Sequence, residues 1–130
     1  MYDTHNNLDR RNQDRFTIPG AKVLYKAKDR SIAVSPLVDI SKSSIRFELT
    51  KDIAEENNIN FELITSPMDK VNLKGKVVWN SYIDSEAKRH VAIQFSPFGT
   101  WDDYNTLESF ASIIELFNIY CKIPHENSVL

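Results

Sequence analysis

The 130-residue chain has one cysteine, Cys121, and only three histidines, His5, His90 and His125. A single thiol excludes an internal disulfide and any multi-thiolate zinc site. The histidines lie far apart, and no pair has the i, i+4 or HExxH spacing of a metal site. Glycine is scarce too, with three residues. There is no P-loop, no Gly-rich dinucleotide turn and no nucleophile elbow. The acidic pair Asp102-Asp103 falls at an expected helix start, where negative charge complements the dipole. His90 has no partner in view. These absences point away from an enzyme, a resident metal or a cofactor. No run approaches the roughly 18 apolar residues of a membrane span. The densest stretch, residues 113–123, is broken by Glu115, Asn118 and Lys122. The N-terminal MYDTHNNLDRRNQDR has no apolar core of a signal peptide, so the expected compartment is the cytoplasm. Sixteen Lys and Arg against eighteen Asp and Glu argue against a partner that is a nucleic-acid polymer.

What is present is enough apolar residue, 42%, for one core in one domain. Charge is unevenly spread. Residues 1–30 carry a net +3, and the remaining hundred carry −5. A local positive segment suits a small anionic ligand, whatever the total charge.

Residues 1–15 are polar, with only Met1, Tyr2 and Leu8 apolar. They cannot bury enough surface to offset ordering entropy, and read as a flexible arm. Residues 16–123 read as the domain, and 124–130 as a tail. After the turn at Pro19-Gly20 come short period-2 segments. They are AKVLYKAK (21–28), IAVSPLV (32–38), SIRFEL (44–49), NFELIT (60–65), KVNLKGKVVW (70–79) and RHVAIQF (89–95). Pro36 places the second at an edge or a bulge, and Gly75 suggests a bulge or a close backbone approach. In the fifth segment Val71, Leu73, Gly75, Val77 and Trp79 fall on one face. Six strands with short connections predict an all-β core, a small antiparallel barrel or sandwich. The sequence then turns helical over about 100–122. Thr100 is the expected cap, and Leu107, Phe110, Ile114, Phe117 and Cys121 form the apolar stripe. The helix is expected to pack on the barrel. Leu116 and Ile119 fall off the stripe, which also fits a homodimer or partner-docking face.

Two short segments carry chemistry. Arg11-Asn-Gln-Asp-Arg15 has RxxxR spacing, preceded by Arg10. Arginine pairs bidentately with phosphate oxygens or guanine O6 and N7, and stacks on bases. Asp39-Ile-Ser41-Lys-Ser-Ser44 lies between two strands. An aspartate can accept from guanine N1–H and N2–H2, and a serine can donate to a phosphate. Each segment alone is a common surface pattern, a solvated arm or a simple turn.

In this order and spacing, with Gly75-Lys-Val-Val-Trp79 and His90-Val-Ala-Ile-Gln-Phe95 behind them, the segments resemble the PilZ domain family. The resemblance spans roughly residues 10–121. It implies a six-stranded antiparallel β-barrel with one C-terminal helix. It implies a non-enzymatic effector that binds cyclic di-GMP, the bacterial second messenger, and signals to a protein partner by arm rearrangement. Arg11 and Arg15 would wrap the ligand, with Arg10 adding a contact. Asp39 would read a guanine edge, and Ser41 would bond the ligand from the barrel surface. Ser44 stands where the family has glycine, and His90 where small residues are usual. Glycine at position 44 would suit a left-handed backbone or close ligand approach. Serine there is expected to weaken binding without abolishing it. The alternative is a degenerate scaffold that binds no nucleotide and docks a protein through its helix or barrel face.

Overall fold

The computed structural model describes residues 14–54, 58–66, 69–83 and 88–121. Six strands precede one helix: β1 (Lys22–Lys26), β2 (Ile32–Ile40), β3 (Ser44–Glu48), β4 (Ile59–Ser66), β5 (Asp69–Ile83), β6 (Lys88–Phe95) and α1 (Leu107–Tyr120). All strand pairs are antiparallel, and the order β1-β2-β3-β6-β5-β4 closes as β4 returns to β1. Closure leaves no edge, so of the two expectations for this strand it is the bulge that is met, between Leu37 and Asp39, and Pro36 itself sits within β2 opposite Lys22.

The period-2 pattern fills the barrel. Val23, Tyr25, Ala33, Ile45, Phe47, Phe61, Leu63, Leu73, Val91 and Ile93 point inward and form one buried cluster. Tyr25 is fully buried and keeps its hydroxyl satisfied, donating to Lys51 O and accepting from Lys51 N–H. Gly75 is the close approach its sequence context suggests. A Cβ there would stand 2.3 Å from Gln94 O on β6.

Three register shifts interrupt the ladders: one at the end of β4, between Ile64 and Ser66, and two within longer strands. In β2 the register shifts between Leu37 and Asp39, leaving Val38 extra. In β5 it shifts between Val77 and Trp79, leaving Val78 extra. Each extra residue flips the facing of the strand beyond it. Leu37 pairs with inward Phe47, yet Asp39 then pairs with outward Arg46. Val77 pairs with inward Ile93, yet Trp79 pairs with Ala92 and is 41% exposed. The expected single face from Val71 to Trp79 therefore ends at Val77. β5 also runs beyond position 79, because Asn80 to Ile83 keep pairing with Val91 to Lys88.

The helix begins seven residues later than the expected start near 100. Its cap is Thr106, whose hydroxyl accepts from Ser109 N–H at 3.0 Å, and Glu108 supplies the first-turn charge. The reason is Asn105, which is 2% exposed. Its Oδ1 accepts from Lys74 N–H, and its Nδ2 donates to Lys74 O and Ser96 O. Its backbone also bonds Pro97 O and Gly99 N–H. Residues 97–105 are thus drawn into a loop pinned to β5 and cannot extend the helix. The buried stripe shifts with the start. Ser109 and Ile113 are buried, with Leu116 and Phe117 partly buried against the core, whereas Leu107 is exposed. Ser109 Oγ donates to Asn72 O, anchoring α1 to β5. No helix among the described residues is long and apolar enough to cross a membrane.

Candidate functional site

Phe16 pairs with Ile40 through two backbone hydrogen bonds, of 2.8 and 2.9 Å. Its ring is buried and meets Phe117 edge-on at 5.7 Å between centroids. This anchor fixes the preceding residue. Arg15 therefore lies over the β2–β3 turn, 24 residues on in sequence.

There Arg15 Nε donates to Asp39 Oδ1 at 2.7 Å, and Nη1 donates to Ser44 Oγ at 2.7 Å. Nη1 also reaches Ser41 Oγ at 3.4 Å. Ser41 is fully buried, and its hydroxyl organises the turn by accepting from the Ser43 and Ser44 N–H groups. The backbone closes the same turn through Ser41 N–H to Ser44 O. Lys42, at the tip, places its ammonium 4.2 Å from the Phe117 ring centre.

Four of the six expected site residues can be placed. Arg15, Asp39, Ser41 and Ser44 form one hydrogen-bonded cluster. Arg10 and Arg11 lie outside the described residues. The left-handed backbone considered for Ser44 is absent. It is the first residue of β3, paired with Gln94, and among the described residues Arg30 is the one non-glycine with positive φ. Serine costs no backbone strain here, and its hydroxyl has work to do as an arginine acceptor.

Sequence reasoning missed Arg46. It pairs across the hairpin with Asp39, donates from Nε to Oδ1 at 2.8 Å, and donates from Nη2 to Oδ2. The signal was there in outline: Arg46 is on the polar face of SIRFEL. What hid it was the β2 bulge, without which residue 39 would face the core. Asp39 thus joins two guanidiniums, and its side chain is only 14% exposed. Burial alone would push its carboxyl up. The hydrogen bonds and charges of Arg46 and Arg15 outweigh that and hold it below the ordinary 3.8. Asp39 is a fixed anion between two cations at neutral pH.

The registers extend this row across the sheet. Asp39 pairs with Arg46, Arg46 with Ala92, and Ala92 with Trp79. The outer face of β2-β3-β6-β5 therefore offers a serine turn, two arginines held by one carboxylate, a small residue and an accessible indole. Such a face can hold phosphate by charge-assisted bonds and a base by stacking. Among the described residues no cluster of His, Cys, Asp and Glu could hold a metal.

Comparison with known proteins agrees with this architecture. No curated protein matches the chain. Among solved structures, the chain is similar to the PilZ domain of YcgR from Escherichia coli, solved with c-di-GMP. The TM-score is 0.52 at 17% identity, over 66% of this chain and 77% of that one. At that identity the likeness is one of fold. The family model for the PilZ domain matches residues 9–111, which takes in the RxxxR segment, the barrel and the first turn of α1. The chain belongs to the PilZ domain family.

Proposed function

We propose that this domain is a cytoplasmic, non-enzymatic receptor for cyclic di-GMP. The observation that carries the reading is the convergence of Arg15 with Asp39, Ser41 and Ser44, brought together from 24 or more residues apart by the Phe16–Ile40 pairing. The YcgR domain, which shares the fold, was solved with that nucleotide. In this reading Arg15 and Arg46 grip phosphate oxygens or a guanine edge. Arg10 and Arg11 close over the ligand from the arm. Ser44 donates to a phosphate, and Ser41 serves the site through the turn it organises. Trp79 is the stacking surface for a base. Both Asp39 oxygens are engaged by arginine, so its first role is to aim the two guanidiniums. Ligand entry draws Arg15 away from Ser44, and Phe16 carries that movement toward Phe117 on α1, where a protein partner can sense it.

The test is a calorimetric titration of the whole chain with cyclic di-GMP and with cyclic di-AMP. The reading expects a Kd of about 1 μM or tighter for the guanine ligand, near −8 kcal/mol. It expects binding at least about tenfold weaker for the adenine one, whose edge mismatches the donors. Flat traces with folded protein would instead favour the interaction scaffold.

A further inference from the structure

A separate feature lies on the far side of the barrel. In the closed strand order β4 stands opposite β3, three strands away in either direction. A groove of about 900 Å³ runs between the outer face of β1-β4-β5 and the 99–108 loop with the start of α1. Several of its apolar side chains are exposed. Ile32 is 61% exposed and Leu107 56%, and Leu24 on β1 lines the same groove. Trp101, at 74%, stands at the loop with its ring 6.5 Å from that of Tyr104. A second cavity of about 640 Å³ opens beside the same two rings. Isolated exposed apolar residues are ordinary, but a contiguous set around a groove marks an interaction surface.

The charge around the rings indicates what fits. Asp102 and Asp103 follow Trp101, and Glu108 lies in the first turn of the helix. None of the three carboxylates forms an ion pair with a described residue. Lys74, on β5, donates its ammonium to Asp102 O at 2.9 Å and offsets one of these three charges. Lys26 belongs to the barrel wall and Glu62 is paired with Lys70. The loop is therefore anionic and aromatic together, and a cation over a tryptophan face with carboxylates alongside is favourable. Asn105 pins this loop to β5, so the surface is preformed rather than assembled on contact.

We propose that this groove docks a basic amphipathic segment of a partner protein. An arginine or lysine of that segment seats against Trp101 and Tyr104 beside Asp102 and Asp103. Its apolar side chains lie on Leu24, Ile32 and Leu107. The proposal does not depend on nucleotide binding.

The test is an NMR titration of the whole protein with three synthetic helical peptides of equal length. One has a leucine face and arginines, one has the same leucines with glutamates, and one has the arginines with serines in place of leucines. The Trp101 indole and the amides of 99–108 should shift with the leucine–arginine peptide. The leucine–glutamate and serine–arginine peptides should each bind at least about tenfold more weakly, the loss of one anchor. Trp101→Ala, at an exposed position, should weaken the first peptide by a similar factor, and Asp102→Asn with Asp103→Asn by about threefold to tenfold. The proposal is overturned if the acidic peptide binds as well as the basic one. It is equally overturned if the groove signals stay unmoved at about 1 mM peptide, or if they shift with protein concentration alone, which would make a second copy the occupant.

Discussion

The two sides of this barrel are built in opposite ways. On the β2–β3 side, polar side chains are saturated with one another: Asp39 holds Arg15 and Arg46, and Ser44 holds Arg15. On the β1-β4-β5 side, an indole and several aliphatic side chains stand in solvent beside carboxylates that no described residue pairs. The first surface must open contacts to accept a ligand, so its affinity is the difference between two sets of charged hydrogen bonds. The second has nothing to release, and its affinity would come from burying what is already exposed. A surface of the first kind can report binding by movement. One of the second kind can hold a partner without moving.

The largest effect should come from the loop that makes the second side. Asn105→Ala removes three buried side-chain hydrogen bonds and orphans Lys74 and Ser96 backbone groups. It should cost about 2–4 kcal/mol in denaturant unfolding. It should also erase the groove while leaving nucleotide affinity unchanged in whatever fraction is folded.

Arg15→Ala should do the reverse. Nucleotide binding should weaken by about 1.5–3 kcal/mol in calorimetry, the scale of lost charge-assisted contacts. Because Arg15 is tied to Asp39 and Ser44, the unliganded protein should also lose about 1 kcal/mol. A sequence-only view of residues 1–15 as a free arm expects no such loss, so the melting curve distinguishes the two.

Here the limits of sequence reading have a physical cause. The strands were legible because alternation in SIRFEL and NFELIT reports burial directly. The cluster around Arg15 was legible in composition, through RxxxR and DxSxx. The phase of each strand after a bulge was not legible. Val38 and Val78 look like any other strand valine, yet each reverses the facing of the residues after it. Arg46 and Trp79 therefore entered the candidate site unannounced. The helix start was misplaced for a similar reason. Thr100 is a good cap, but Asn105 bonds to β5 across 31 residues, a contact no local pattern encodes.

The pH dependence sharpens the comparison further. Asp39 is held below its ordinary value of 3.8, so the folded state binds its proton less readily than the unfolded chain. Its contribution is fully present above pH 3.8 and is lost as pH falls through the lower folded value. Asp39→Asn should flatten that acid-side loss of stability in pH-resolved unfolding.

Two smaller effects lie at turns. Ser44→Gly removes the Arg15 acceptor at a position with ordinary strand geometry. It should destabilise the unliganded protein by about 1 kcal/mol, with no gain from relieved backbone strain. Arg30 does occupy the left-handed region, at φ 76° in the β1–β2 turn. Arg30→Gly should therefore raise stability by up to about 1 kcal/mol, read as a higher melting temperature, while neither surface changes.

The most direct measurement is one NMR titration of the wild-type protein with cyclic di-GMP, tracking four side-chain signals at once. These are the Nε–H groups of Arg15 and Arg46 and the indole N–H groups of Trp79 and Trp101. The account predicts that Arg15, Arg46 and Trp79 shift together and saturate, because they share the outer face of β2-β3-β6-β5, and that Trp101 stays in place on the opposite side. Saturating shifts centred on Trp101, or no shift at any of the four at about 1 mM ligand, would contradict it.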